Sequence, residues 1–143
     1  MKNWKSILFS MLVIGFVAEG VGHAVEIGGI WTKMTYPDAN NISLFYEETG
    51  KVKVIGQGRL EGREVLWFGE GEIKDGQIHV VYHYSAEAKP TGWESDGAMD
   101  LKLSEDGKTM RGTATSTSGK WSGPIEFRRV QIMLSPDSAN MNR

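Results

Sequence analysis

The sequence contains no cysteine, so the fold must stand on its core without disulfides, and no cysteine can carry a lipid. It contains no basic run either. With 16 Lys and Arg against 18 Asp and Glu the formal charge is −2, which argues against nucleic acid as a partner. Histidine is confined to His23, His79 and His83. The last two are four residues apart in an extended segment, about 13 Å by strand rise, too far to share one metal directly. No Ser-His-Asp or Cys-His constellation can be named from what remains, so neither catalysis nor a cofactor is expected. Helix-period spacing is missing after the first two dozen residues, which leaves strands.

The apolar run from Ile7 to Ala18 lies behind a short basic start with Lys2 and Lys5 and ahead of Gly22-His23-Ala24. It is too short to cross a bilayer. The small-residue ending suits a secretory signal peptide over residues 1–24 better than the alternative, an uncleaved anchor. Cleavage after Ala24 leaves 119 of the 143 residues, enough for one domain with one core. Without Lys2, Lys5 and Glu19 the counts fall to 14 basic and 17 acidic, a charge of −3. The expectation is an exported protein, periplasmic or secreted, with no membrane attachment after cleavage.

Most of the remaining chain alternates apolar and polar residues with period two. The clearest stretch is Glu64 to Ser85, where Val65, Trp67, Gly69, Gly71 and Ile73 precede Asp75-Gly76 and Ile78, Val80, Tyr82 and Tyr84 follow it. This pattern predicts a hairpin with a type I′ turn. Similar signals predict strands over Gly29 to Tyr36, Ile42 to Glu47, Lys51 to Leu60, Gly97 to Glu105, Lys108 to Thr117 and Lys120 to Gln131. Eight strands joined mainly by tight turns form a meander, and a meander of eight loses its edges by closing into an antiparallel up-and-down barrel. The barrel domain spans 25–131, and the tail 132–143 has no clear period.

The turns also predict register. Asp75-Gly76 sets Ile73 against Ile78, Gly69 against Tyr82 and Trp67 against Tyr84. A three-residue loop at Glu48-Thr49-Gly50 sets Tyr46 against Val52 and Leu44 against Val54. A two-residue loop at Gly62-Arg63 sets Leu60 against Val65 and Gly58 against Trp67. Asp106-Gly107 pairs Leu103 with Met110, and Ser118-Gly119 pairs Gly112 with Ile125 and Met110 with Phe127.

Gly29-Ile30-Trp31 at the start of the first strand, with Arg129 on the last strand in phase with Ile125 and Phe127, resembles the Gly-x-Trp motif and partner arginine of the calycin superfamily. The compact chain is most similar to small bacterial-type lipocalin-like barrels. The resemblance implies a structural plug, in which Trp31 lies across the closed end of the barrel and Arg129 packs over it by a cation–π contact. Short strands, and no helix-period segment after the barrel, depart from the classical lipocalins.

Gly56, Gly58, Gly69, Gly71, Gly112 and Gly123 fall in the inward phase. They mark bends and make room for rings, or they open a cavity, so the pattern allows both a filled and a hollow interior. Loops 37–41, 61–64, 86–97 and 118–119 share the end opposite Trp31. Trp67, Tyr82, Tyr84 and Trp121 are inward residues near that end, and Trp93 sits on its longest loop. Such a ring of aromatics suits a pocket for a small hydrophobic or aromatic ligand. The alternative is an aromatic cap on a filled barrel, which would act as an interaction or enzyme-inhibitor module through its loops or outer wall. On that wall, strands six to eight carry residues such as Asp100, Lys102, Arg111 and Glu126. Strands two to five are expected to turn Phe45, Ile55, Leu66, Phe68 and Val81 outward. That patch predicts a homodimer, unless Ile132-Met133-Leu134 of the tail covers it.

Overall fold

The computed structural model describes residues 26–35 and 40–131. The expected signal peptide, the centre of the first loop and the tail lie outside the described residues. Eight strands follow one another round a closed antiparallel barrel: β1 (Gly29–Lys33), β2 (Ile42–Glu48), β3 (Lys51–Leu60), β4 (Arg63–Lys74), β5 (Gln77–Tyr84), β6 (Asp96–Leu103), β7 (Thr109–Ser116) and β8 (Ser122–Arg129). No helix occurs among the described residues, in keeping with the period-two pattern.

Three two-residue turns have both central residues at positive φ, the type I′ geometry that matches strand twist. They are Thr49-Gly50, Glu61-Gly62 and Asp75-Gly76. The Asp75-Gly76 register is as predicted, with Trp67 opposite Tyr84, Gly69 opposite Tyr82 and Ile73 opposite Ile78. The pairings around Asp106-Gly107 and Ser118-Gly119 also agree.

The other two turns correct the expected register. Thr49 and Gly50 alone form the loop, so Glu48 pairs with Lys51 and Phe45 with Val54. A shift of one residue exchanges the two faces of a strand. Phe45 therefore points inward, 1% exposed, and is no part of an outer patch, while Leu44 and Tyr46 point outward, 53% and 55% exposed. The turn after β3 is Glu61-Gly62, so Gly56, not Gly58, lies opposite Trp67. That shift of two keeps the faces and changes only the partners.

The end of the barrel near Trp31 is packed solid. Trp31, Phe45 and Phe127 meet edge to face, at 6.3 Å and 5.5 Å between ring centroids, and Ile27, Val52, Ile78, Leu101 and Met110 are buried in the same core. The Arg129 guanidinium lies 4.4 Å from the Trp31 ring centroid. It also donates to three backbone carbonyls, those of Gly107 (2.9 Å), Gly28 (2.7 Å) and Glu26 (2.6 Å). The indole N–H of Trp31 donates to the Ile27 carbonyl at 2.9 Å.

The barrel closes along its shortest ladder. β1 and β8 share three residue pairs, where β3 and β4 share ten. On β8 the odd residues bond towards β7, as Arg129 N–H does to Lys108, and the even residues towards β1, as the Glu126 carbonyl does with Met34 N–H. Pro124 is an even residue and has no N–H to offer, so it donates no bond towards β1.

Candidate functional site

Above the packed end lies a cavity of about 340 Å³, opening at the mouth. Its aromatic wall is set by two register rows. In one row Trp31, Ser43, Gly56, Trp67 and Tyr84 follow one another across β1 to β5. Gly56 gives the Trp67 indole its seat, because a Cβ there would lie only 1.9 Å from Trp67 Nε1. In the next row Tyr82 lies between Gly69 and Gly97, and its ring occupies the space over Gly97, whose Cβ would come within 2.5 Å of the Tyr82 hydroxyl. The expected seats were Gly58 and Gly69. Gly58 instead receives the Asn41 side chain, and Gly69 receives the methyls of Val54 and Val80.

The rings form a chain from the interior to the loops. Trp67 meets Tyr82 at 5.9 Å, Tyr82 meets Tyr84 at 5.7 Å, and Tyr84 meets Trp93 at 5.4 Å, all near perpendicular. Edge-to-face contacts of this kind are favoured by the ring quadrupoles, at about 0.5–1.5 kcal/mol each beyond area burial. Trp121 borders the same cavity from the β7–β8 turn, 49% exposed. All five aromatic residues singled out in the sequence therefore surround one space. Met99, Ala114 and Ile125 complete its apolar wall.

The mouth loops are tied down. The loop after β5 folds back on β4 through Leu66 N–H to the Ala88 carbonyl (2.9 Å) and Ser85 N–H to the Leu66 carbonyl (2.8 Å), and Arg63 donates to the Thr91 hydroxyl at 2.7 Å. Lys89 donates to the Trp93 carbonyl. Across the opening, the Glu94 carboxylate accepts from the hydroxyl and backbone N–H of Ser118, and Thr117 N–H donates to the Asp96 carbonyl at 3.0 Å. The Ser118 hydroxyl, then its N–H, hold the Glu94 carboxyl below its ordinary pKa, with a smaller contribution from Lys120. Ser116 and Trp121 exchange bonds within the turn, at 2.9 Å and 3.1 Å. Trp93 and Trp121 are thus held on opposite loops by one clasp.

Polar residues at the rim were not singled out from the sequence: Lys33, Glu94, Asp96, Ser116 and Lys120 all border the cavity. Lys33 was findable, since it follows inward Trp31 by two residues. The loop residues carry no periodic signal. Among the described residues two buried hydroxyls, Thr35 Oγ1 and Ser43 Oγ, have no hydrogen-bond partner.

The remaining polar chemistry lies outside the barrel. His79 Nδ1 is 2.7 Å from Asp100 Oδ1, and His83 stacks at 5.6 Å on Phe68. Among the described residues no group of three or more His, Cys, Asp or Glu could hold a metal ion. Of the expected patch residues, Ile55 and Val81 are exposed at 49% and 55%, and Leu66 and Phe68 are half-buried on the outer face. No protein-family model matches the chain, and no curated protein matches it in sequence. What the molecule does has to be read from the geometry of the mouth.

Proposed function

We propose that the protein is an exported carrier or receptor that binds a small, largely apolar, flat molecule at the barrel mouth, without catalysis. One observation carries this reading: a cavity of about 340 Å³ bounded by an unbroken chain of four aromatic rings, with Trp121 at its rim. Small-molecule sites commonly occupy about 300–1,000 Å³ and combine apolar walls with a few polar groups. At about 30 Å³ per water, the space is worth roughly eleven waters. Two or three fused rings fit such a volume, and their faces would meet the edges of Trp67 and Tyr84. The likeness of Gly29-Ile30-Trp31 and Arg129 to the calycin superfamily, in a barrel of the same strand number and order, supports the same reading.

The test is quenching of tryptophan fluorescence by a panel of hydrophobic and aromatic probes. Saturable quenching is expected, weakened at least about tenfold by Tyr84→Ala or Trp93→Ala, since a lost ring contact of about 1.4 kcal/mol is tenfold in affinity. Trp67→Phe separates loss of the indole from loss of the core. Absence of any saturable response, or full binding in all three variants, would remove the proposal.

A further inference from the structure

The outer wall divides into two unlike halves. On β6 to β8 the outward residues are mostly polar or charged, with Arg111 paired to Glu126 at 2.9 Å. On β2 to β5 the central outward row reads Leu44, Ile55, Phe68 and His83. The row on the mouth side reads Ile42, Gln57 and Leu66, and the row on the closed side Tyr46, Lys53, Glu70 and Val81. Ile42, Leu44 and Tyr46 on β2, Ile55 on β3 and Val81 on β5 are exposed large apolar residues, with half-buried Leu66 and Phe68 on β4 between them. A contiguous apolar face of this width is uncommon on a soluble monomer.

The charges that border this face have an order of their own. Across the β3–β4 ladder three cations on β3 each lie opposite a glutamate on β4: Lys51 faces Glu72, Lys53 faces Glu70 and Arg59 faces Glu64, while Glu48 on β2 and Lys74 on β4 add one charge of each sign at the closed end. Within one chain these contacts are exposed, Lys51 to Glu72 at 3.3 Å and Lys53 to Glu70 at 3.9 Å, and such pairs add little to stability. Their arrangement matters more between chains. A two-fold axis running along the strands between β3 and β4 maps each β3 position of one copy onto the β4 position of the other in the same row. All three cations then meet glutamates, twice over by symmetry. The same operation brings Ile55 onto Phe68, at the centre of the face.

We propose that the protein pairs with a second copy of itself through the outer face of β2 to β5, about this axis. An anionic surface or an oppositely charged protein would require a border of one sign, and this border is balanced. Four strands about 4.8 Å apart and some eight residues of strand length make a face of roughly 20 by 27 Å. Flattened, that is about 540 Å², just below the 600–1,000 Å² that each partner gives to a standard specific interface, so weak association, with dissociation in the micromolar range, is expected. The pairing is independent of what the cavity holds.

The experiment is the mass of the full protein in solution by sedimentation over about 1–100 µM, with circular dichroism confirming that each variant is folded. The wild type is expected to move from monomer to dimer across that range, and Ile55→Asp to remain monomeric. Lys53→Glu alone places carboxylates against Glu70 of the other copy, and Glu70→Lys alone places ammonium groups against its Lys53, so each variant is expected to dimerise at least about tenfold more weakly. Mixed in equal amounts, the two variants complement one another and should recover dimers at wild-type concentrations. A wild type that stays monomeric at the highest concentration overturns the proposal. So does a dimer indifferent to Ile55→Asp, or a mixture no better than its components. Dimers appearing only after removal of residues 132–143 would assign the face to that tail instead.

Discussion

Gly56→Ala tests the construction of the cavity at one atom. The added methyl would stand 1.9 Å from Trp67 Nε1 and 2.0 Å from Cε2, where ordinary contact begins near 3.4 Å. The indole must therefore retreat by about 1.5 Å in an interior packed as densely as a crystal. It cannot move sideways freely, since Tyr82 lies at 5.9 Å and Phe127 at 6.5 Å between centroids. The free direction is into the cavity. Overpacking of this kind costs about 1–3 kcal/mol. In a domain of about a hundred residues each kcal/mol lowers Tm by roughly 4–8 °C, so a fall of about 5–20 °C is expected. Far-ultraviolet circular dichroism follows the melt, and the near-ultraviolet band reports the indole. Gly58→Ala is the control, because its methyl would strike Asn41 and leave Trp67 in place. It should lower Tm while preserving the indole signal. If Gly56→Ala melts within about 1 °C of the wild type with an unchanged near-ultraviolet spectrum, the ring does not lie over Gly56 and the wall has been drawn wrongly.

Thr49 is a β-branched residue at φ 50° in a type I′ turn. A side chain in that region costs about 1–2 kcal/mol, and asparagine tolerates it best after glycine, so Thr49→Asn is expected to raise stability by about 0.5–1 kcal/mol in urea titration. An unchanged midpoint would show the turn to be relaxed. The Glu94 clasp should make probe binding sensitive to acid. Its carboxyl pKa is lowered in the folded state, so the contribution is complete above the ordinary value near 4.5 and is lost as pH falls through the lowered one. Probe affinity should hold from neutrality down to about pH 5 and drop below that, and Glu94→Gln should flatten this acid limb. Identical acid limbs in the two proteins would separate Glu94 from binding.

How far the fold could be read from the residues depended on the chemistry of each turn. Asp-Gly is a common type I′ pair, so the β4–β5 register and the positions of Trp67, Tyr82 and Tyr84 were legible. Thr-Gly and Glu-Gly are not, although they adopt the same geometry here, with the Glu47 carboxylate supporting the first by accepting Gly50 N–H at 2.9 Å. In β2 the apolar pattern also misled, because Ile42, Leu44 and Tyr46 are the more apolar set and yet face out, while Ser43 and Phe45 face in. A strand with an apolar outer face offers the period-two rule nothing to choose by. Trp67, Tyr82 and Tyr84 were legible because their positions follow strand phase, whereas Trp93 and Trp121 are placed by the loops at the mouth. The rim of the cavity was not legible, since Glu94 and Lys120 are placed by loop hydrogen bonds that no periodicity encodes.

The bonds from Arg129 to Gly28 and Glu26 join positions 101 and 103 residues apart. Every other ladder in the barrel joins sequence neighbours. Folding can thus zip hairpin by hairpin at little cost in chain entropy until one long-range step remains, and such steps are the slow ones. Before that step the sheet is an open ribbon with β1 and β8 as two unprotected edges, each able to recruit strands from other chains. On such a route the last few residues of β8 would set how long the molecule spends in an aggregation-prone form, and the guanidinium that caps Trp31 would be the latch that ends that period.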